Sequence, residues 1–221
     1  MSELSRKELI EGYLRVPTAN VCDAMAQLDL PVRVIEGLHP VSPTQRPAVG
    51  FAVTVKQMQR HQAAEGKGLA THSKVIDTQL QYGDMLVIDV GGRTDVCTGG
   101  ALLARRAQQR GASGYLINGC LRDVREIAAL DFPVHLVGAS PVKSSPALQT
   151  VGINIPVEIN GVQILPGDLV MSDDTGVIVV PAQVAEQVLE RALAINAKEA
   201  ALEEMLIVGK TFAEAAAAVK L

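Results

Sequence analysis

The chain has 221 residues, 48% of them hydrophobic, and a net charge of −4 from 20 Lys and Arg against 24 Asp and Glu. That length suits one large domain, and the absence of Trp, the three Tyr and three Phe and the lack of a basic block exclude a stacking, cationic nucleic-acid surface. Cys22, Cys97 and Cys120 lack CxxC spacing, "MSELSRKELIEGYLRV" lacks an apolar signal core, and no apolar run nears the roughly 20 residues that span a bilayer, so the expectation is a cytoplasmic protein with reduced thiols and no membrane partner.

In chain order, apolar residues at helical spacing predict a helix from about Ser5 to Leu14. A second helix is expected in "TANVCDAMAQLD", with Thr18 as N-cap after Pro17. Pro31, Pro40, Pro43 and Pro47 mark an irregular stretch, and the alternating, β-branched "VGFAVTVKQ" predicts a strand from Val49 to Gln57. The segment from about Gln62 to Leu80 is expected to be helical in its second half. "YGDMLVIDVGG" then reads as a turn and a buried strand, "GGALLARRAQQRG" as a helix ending at Gly111, "SGYLING" as a strand, "RDVREIAALD" as a short helix and "FPVHLVG" as a third strand. This alternation is an α/β pattern with parallel neighbours.

Beyond it, "INIPVEINGVQILPGDLVMSDDTGVIVVP" offers four short strands separated by Asn-Gly, Pro-Gly-Asp and Asp-Asp-Thr-Gly turns, which are antiparallel hairpin signals. A long helix follows from Pro181 to Gly209 and a short one from Thr211 to Val219. The stripe Val184, Val188, Leu189, Ala192, Leu193 and Ile195 is wider than one small sheet needs, which predicts an oligomer.

Gly99 and Gly100 open the helix "ALLARRAQQR", where free amides without a Cβ in the way form a site for a carboxylate or phosphate. They are not a G-x-G-x-x-G, and no Lys-Ser/Thr follows. Arg122 and Asp123 close the next strand, and in a parallel sheet the loops after neighbouring strands share one edge. There an aspartate can hold a hard divalent cation and the adjacent guanidinium can face a developing anion. The bland reading of the same pair is a helix cap.

Together "GDMLVIDVGG", "GGALLARRAQQRG", "GYLINGCLRDVREIAALDFPVH" and "INGVQILPGDLVMSDDTGVIVVP" resemble the 4-hydroxy-4-methyl-2-oxoglutarate/4-carboxy-4-hydroxy-2-oxoadipate aldolases and the related regulators of ribonuclease activity A. The likeness runs from "TANVCDAM" to the glycine after the long helix. It implies a single α/β domain over residues 1–221, an αββα-type sandwich with a mixed sheet and a long C-terminal helix, residues 181–221 being a helical extension. It also implies a homotrimer or homohexamer with sites between subunits. The implied reaction is a Mg2+- or Mn2+-dependent retro-aldol cleavage of a small oxo acid releasing pyruvate, commonly with oxaloacetate decarboxylation.

By the resemblance, Asp123 reaches the metal, Arg122 stabilises the enolate, and the amides of Gly99, Gly100, Ala101, Leu102 and Leu103 bind the substrate carboxylate. The ribonuclease-regulating branch typically lacks the aspartate, so its presence favours the catalytic branch over a protein-binding regulator. Several aldolases carry an acidic residue where this chain has Ala101.

Other residues have plainer readings. Lys56 has no neighbour that suggests a Schiff-base role, and His39, His61, His72 and His135 lack zinc spacing. Asp173 and Asp174 read as turn residues. Arg93 and Asp95 lie beyond a strand on the presumed site edge or on loop surface. A general base is not identifiable; the candidates are a metal-bound water and Glu203 or Glu204 of a neighbouring subunit, the plainer reading of those glutamates being a solvated helix face.

Overall fold

A computed structural model of the chain describes residues 4–60, 72–143 and 147–219. Helices α1 (Arg6–Tyr13) and α2 (Thr18–Gln27) precede two-residue strands β1 (Val34–Ile35) and β2 (His39–Pro40) and the long strand β3 (Ala48–Gln59). Then come α3 (His72–Thr78), β4 (Asp84–Asp89), α4 (Ala101–Gln109), β5 (Gly114–Leu121), α5 (Val124–Ala128) and β6 (Val134–Ala139). Strands β7 (Leu148–Ile153), β8 (Val157–Ile159), β9 (Val162–Ile164), β10 (Leu169–Ser172) and β11 (Val177–Val180) lead to α6 (Ala185–Ile207) and α7 (Phe212–Val219).

The sheet is mixed, as expected, in the order β1-β11-β10-β3-β4-β5-β6-β2, with β7 also paired to β3. Neighbours β3, β4, β5 and β6 run parallel. Strands β4 and β5 are buried along their whole length, which explains their nearly continuous apolar sequences. On one face of the sheet, Val53, Val55, Leu86, Ile88, Tyr115 and Ile117 pack under α3, α4 and α5. Val49, Phe51, Met171 and Ile178 pack with residues of α1, α2 and α6. On the other face, Ala52, Met85, Val87 and Leu116 pack with Val157, Ile159 and Ile164 of the β8–β9 hairpin, a separate two-stranded sheet. The Asn160-Gly161 turn joining that hairpin has positive φ at both residues, the geometry for which Asn-Gly is selected.

Several expectations change. Thr18 is the first residue of α2 and Pro17 its N-cap; the Thr18 amide and hydroxyl donate instead to Asp173, at 2.9 and 2.8 Å. Strands β1 and β2 lie inside the proline-rich stretch, and β7 was not foreseen; two-residue strands and a strand begun beside a loop carry too little periodicity to stand out. The helix expected in the second half of the Gln62–Leu80 segment is α3; the first part of that segment, and His61, lie outside the described residues. The stripe on α6 is used within the chain, since Val188, Leu189, Ala192 and Ile195 are buried against α1, α2 and the sheet. Leu193 of the stripe is exposed, and the more strongly exposed apolar residues include Leu102, Tyr82, Ile207, Val208 and Phe212. No helix among the described residues is long and apolar enough to cross a membrane.

Asp173 is a turn residue with a longer reach than its sequence suggests. Besides Thr18 it accepts from the amides of Thr175 and Gly176, at 2.9 and 3.2 Å, so one buried carboxylate ties the β10–β11 turn to the start of α2. Asp173→Ala leaves those donors unpaired, and urea unfolding should lose about 3 kcal/mol, against about 1 kcal/mol for Thr18→Val.

Candidate active site

After β4 the chain loops out and returns beside the end of β5. Cys97 bridges to Cys120 in parallel, the Thr98 amide donates to the Cys120 carbonyl at 2.8 Å, and the Arg122 amide donates to the Gly99 carbonyl at 3.0 Å. These bonds bring Gly99 and Gly100 against Arg122 and Asp123. A Cβ on Gly100 would stand 2.4 Å from Asp123 Oδ2 and 2.9 Å from Arg122 Cγ, so no other residue fits there without displacing the pair. The φ of Gly100 is −162°, which any residue adopts; close approach is the reason for glycine.

Asp123 sits at the N-cap of α5 with φ 59° and ψ 36°, a left-handed conformation that aspartate tolerates better than most residues. Its carboxylate makes no bond to α5. Instead Oδ2 accepts from the Ala101 amide of α4 at 3.3 Å and lies 3.6 Å from Arg122 Nε. The pair therefore does not act as the local helix cap that was its plainer reading. Among the described residues the amides of Gly100 and Leu102 find no acceptor, so the positive end of α4 is open to an anion.

Arg122 and Asp123, with Gly99, Gly100, Leu102 and Leu103, line a cleft of about 390 Å³. The Leu102 side chain is 80% exposed at its rim, and Ala101 contributes its amide. The expected site residues are thus brought together.

The cleft also contains residues that sequence reasoning missed. Arg60 and Lys143 add two cations, so three positive side chains face one carboxylate. Gln57, Thr98, Thr150 and His72 form a buried polar wall. Thr98 Oγ1 donates to Gln57 Oε1, and Gln57 Nε2 lies 3.4 Å from Thr150 Oγ1 and 3.2 Å from His72 Nδ1. With the Gln57 amide so oriented, Nδ1 is the acceptor and Nε2 carries the His72 proton. Burial pushes the His72 pKa down to about 4, keeping the ring neutral. The only sequence signal for this wall was Thr98 beside the glycine pair; the rest comes from β3, α3 and β7.

The remaining candidates lie elsewhere. Arg93 and Asp95 pair with each other, at 2.9 and 2.5 Å, and do not line the cleft. Lys56 pairs with Asp89, on the opposite face of the sheet. His135 is buried between Gln45 and the Asp173 carbonyl, and His39 lies on β2. Glu203 and Glu204 are exposed on α6 and outside the cleft. The three cysteines are free thiols.

Among the described residues no three His, Cys, Asp or Glu side chains gather as a metal cluster. Asp123 is the one carboxylate among the described residues that line the cleft, half exposed beside open space. That donor set does not suit zinc, but it fits a magnesium-like ion that takes one carboxylate and completes its shell with water and substrate oxygens.

A family model described as RraA-like, Aldolase/RraA, matches residues 18–179. A relative from Halalkalibacterium halodurans, provisionally named 4-hydroxy-4-methyl-2-oxoglutarate aldolase, is 30% identical over 199 residues, 90% of this chain and 89% of the relative. Protein DlpA of Legionella pneumophila is 27% identical over 94% of this chain, which spans only 33% of DlpA's length. Among solved structures, Streptomyces coelicolor RraAS2, described as an unusual member of the RNase ES inhibitor RraA protein family, superposes with a TM-score of 0.77 at 27% identity, covering 90% of this chain and 97% of that one.

The neutral His72 ring has a consequence for stability. Its pKa is about 4 in the folded chain against 6.5 for the unreacted side chain, so between those values the unfolded state binds the extra proton. Stability is then full above pH 6.5 and falls as pH drops toward 4, by up to about 1.4 kcal/mol per pH unit. His135, also lowered by burial, acts in the same direction. Urea unfolding of His72→Asn from pH 7 to 4 should give a visibly shallower decline than the unchanged chain.

Proposed function

The chain belongs to the RraA-like, Aldolase/RraA family, and we propose that it is a divalent-metal-dependent lyase that cleaves a 4-hydroxy-2-oxo dicarboxylic acid to release pyruvate, and that it decarboxylates oxaloacetate at the same site. The observation that carries this reading is the convergence of Arg122, Asp123 and the open start of α4 in one cleft with a cationic rim.

The open amides of Gly100 and Leu102, on either side of the Ala101 amide that is bonded to Asp123, bind the carboxylate of the oxo-acid end, aided by the helix dipole. Asp123 would hold a magnesium or manganese ion, which would supply Lewis-acid stabilisation of negative charge on the substrate. In the retro-aldol step the C3–C4 bond breaks, its electrons pass to the C2 oxygen as an enolate, and the C4 hydroxyl loses its proton to become a carbonyl. Loss of CO₂ from oxaloacetate leaves the same enolate. Arg122 faces the charge that appears on that oxygen, an interaction stronger in the transition state than in the ground state. Arg60 and Lys143 favour a second carboxylate at the distal end, and neutral His72 donates from Nε2.

Among the described residues no second carboxylate lines the cleft to take the hydroxyl proton. We assign that base to a neighbouring copy, with Glu203 and Glu204 as candidates, in a homotrimer or homohexamer. The exposed apolar residues Leu102, at the rim, and Ile207, Val208 and Phe212 support such an assembly. A second reading is a non-catalytic regulator of a ribonuclease, favoured by the likeness to RraAS2.

Pyruvate release from oxaloacetate and from 4-hydroxy-4-methyl-2-oxoglutarate, measured with chelator and after magnesium return, separates the two. Asp123→Ala should abolish the metal-dependent rate with the fold intact, and Gly100→Ala should lower it sharply by pushing that carboxylate aside. Arg122→Lys should reduce kcat by about 10²–10³ with little change in KM. Full turnover by Asp123→Ala would overturn the assignment of the metal ligand. No turnover by the unchanged chain on either substrate, together with inhibition of a ribonuclease, would establish the regulator.

A further inference from the structure

The polar wall of the Arg122–Asp123 cleft is bonded in one direction. Thr98 is 1% exposed, and among the described residues its hydroxyl has the Gln57 side chain as partner. A Gln57 amide turned the other way would donate to that hydroxyl, whose own proton would then have no acceptor. With Oε1 toward Thr98 both groups are satisfied, and Gln57 Nε2 is left to donate to His72 Nδ1 at 3.2 Å, 3.4 Å from Thr150 Oγ1. Thr98 thereby orients Gln57, and Gln57 decides which ring nitrogen of His72 carries the proton. Burial keeps the ring neutral at pH 7, so that proton is on Nε2 alone.

The protonated nitrogen lies on the side of the glycine pair. A Cβ built on Gly99 would stand 3.2 Å from His72 Nε2, and the φ of Gly99 is outside the left-handed region, so space and not backbone freedom is what its missing side chain supplies. Among the described residues the Nε2–H has no acceptor, and His72 lines the cleft. Gly99 directly precedes Gly100, the N-cap of α4, whose open amides receive the oxo-acid carboxylate. Arg60 and Lys143, by contrast, are exposed cations at the rim.

We propose that His72 is a substrate-binding residue and Gln57 its positioning residue, the Thr98–Gln57 pair holding the His72 Nε2–H as a donor to the oxo-acid end bound at the start of α4. The proposal rests on the lyase reading above. An uncharged donor binds a substrate oxygen there without competing with it for the Asp123 carboxylate, as a further cation would.

Two measurements on the ¹⁵N-labelled full chain at pH 7 test this. The ring nitrogens of His72, identified by their loss in His72→Asn, should be pyrrole-like at Nε2 and pyridine-like at Nδ1. In Gln57→Glu the new side chain, kept ionised by the cations of the cleft, only accepts, so Nδ1 should become pyrrole-like; a role in packing alone leaves the nitrogens unmoved. Pyruvate binding with magnesium present is then followed at the Gly100 and Leu102 amides. His72→Asn, which offers an acceptor near the Nδ1 position and nothing at Nε2, should weaken it about tenfold, whereas His72→Gln, whose amide nitrogen reaches the Nε2 position, should restore most of the affinity. Dispersed spectra establish the fold of each variant, and the unchanged chain alone decides the tautomer. A proton on Nδ1 in the unchanged chain, a pyridine-like Nδ1 in folded Gln57→Glu, or unweakened pyruvate binding by folded His72→Asn overturns the proposal and leaves the lyase reading standing if magnesium-dependent pyruvate release persists. Failure of pyruvate to saturate the Gly100 and Leu102 amides of the unchanged chain overturns both.

Discussion

Two segments that leave different strands meet where Gly100 passes Arg122 and Asp123, at a separation that no Cβ would permit. The contact is maintained by the backbone, because the loop before α4 is hydrogen-bonded alongside the end of β5 through Thr98 and Gly99. With that register set, the open amides of α4 and the Asp123 carboxylate face one cleft. A carboxylate held at a helix start is favoured by the dipole, and in the proposed reaction an oxo acid would present another carboxylate to the open amides beside it. The geometry therefore couples the position of Asp123 to the occupancy of the helix start.

The sheet distributes its chemistry by parity. Along β3, neighbouring residues Lys56 and Gln57 serve opposite faces, one bonded to Asp89 and the other to Thr98 and lying beside His72. Both polar groups lie at the carboxyl ends of parallel strands, where loops diverge. Most of the rest of β3, β4 and β5 is apolar and buried on both sides, which holds the two groups on one rigid support.

Electrostatics distinguish the two faces. The cleft has an excess of cations, with Arg60, Arg122 and Lys143 around Asp123, and a neutral imidazole that donates without adding charge. Such a lining favours anions, as the proposed dicarboxylate substrate and the negative charge growing on its oxygen require. The opposite face balances Lys56 against Asp89.

Much of this was legible in the chain. Continuous apolar runs marked β4, β5 and β6 because those strands are buried, and Asn-Gly marked the β8–β9 turn because few residues adopt its backbone. Gly99, Gly100, Arg122 and Asp123 were found because each lies next to a strand or helix end, where a local motif suffices. Their mutual contact was inferred from topology; that Asp123 caps α4 and not its own helix was decided by the close approach at Gly100. Arg60, His72, Lys143 and Thr150 had no local signature, since residues distant in the chain become neighbours only when β3, α3 and β7 pack. The same holds for Asp173, a turn residue by sequence, which reaches Thr18 only because the β10–β11 turn folds over the start of α2. Sequence by itself determined which segments are strands and helices and which ends carry reactive groups, because those follow from local backbone preference and burial pattern. Tertiary structure alone decided which groups share a cleft, because that depends on register and on the absence of a single Cβ.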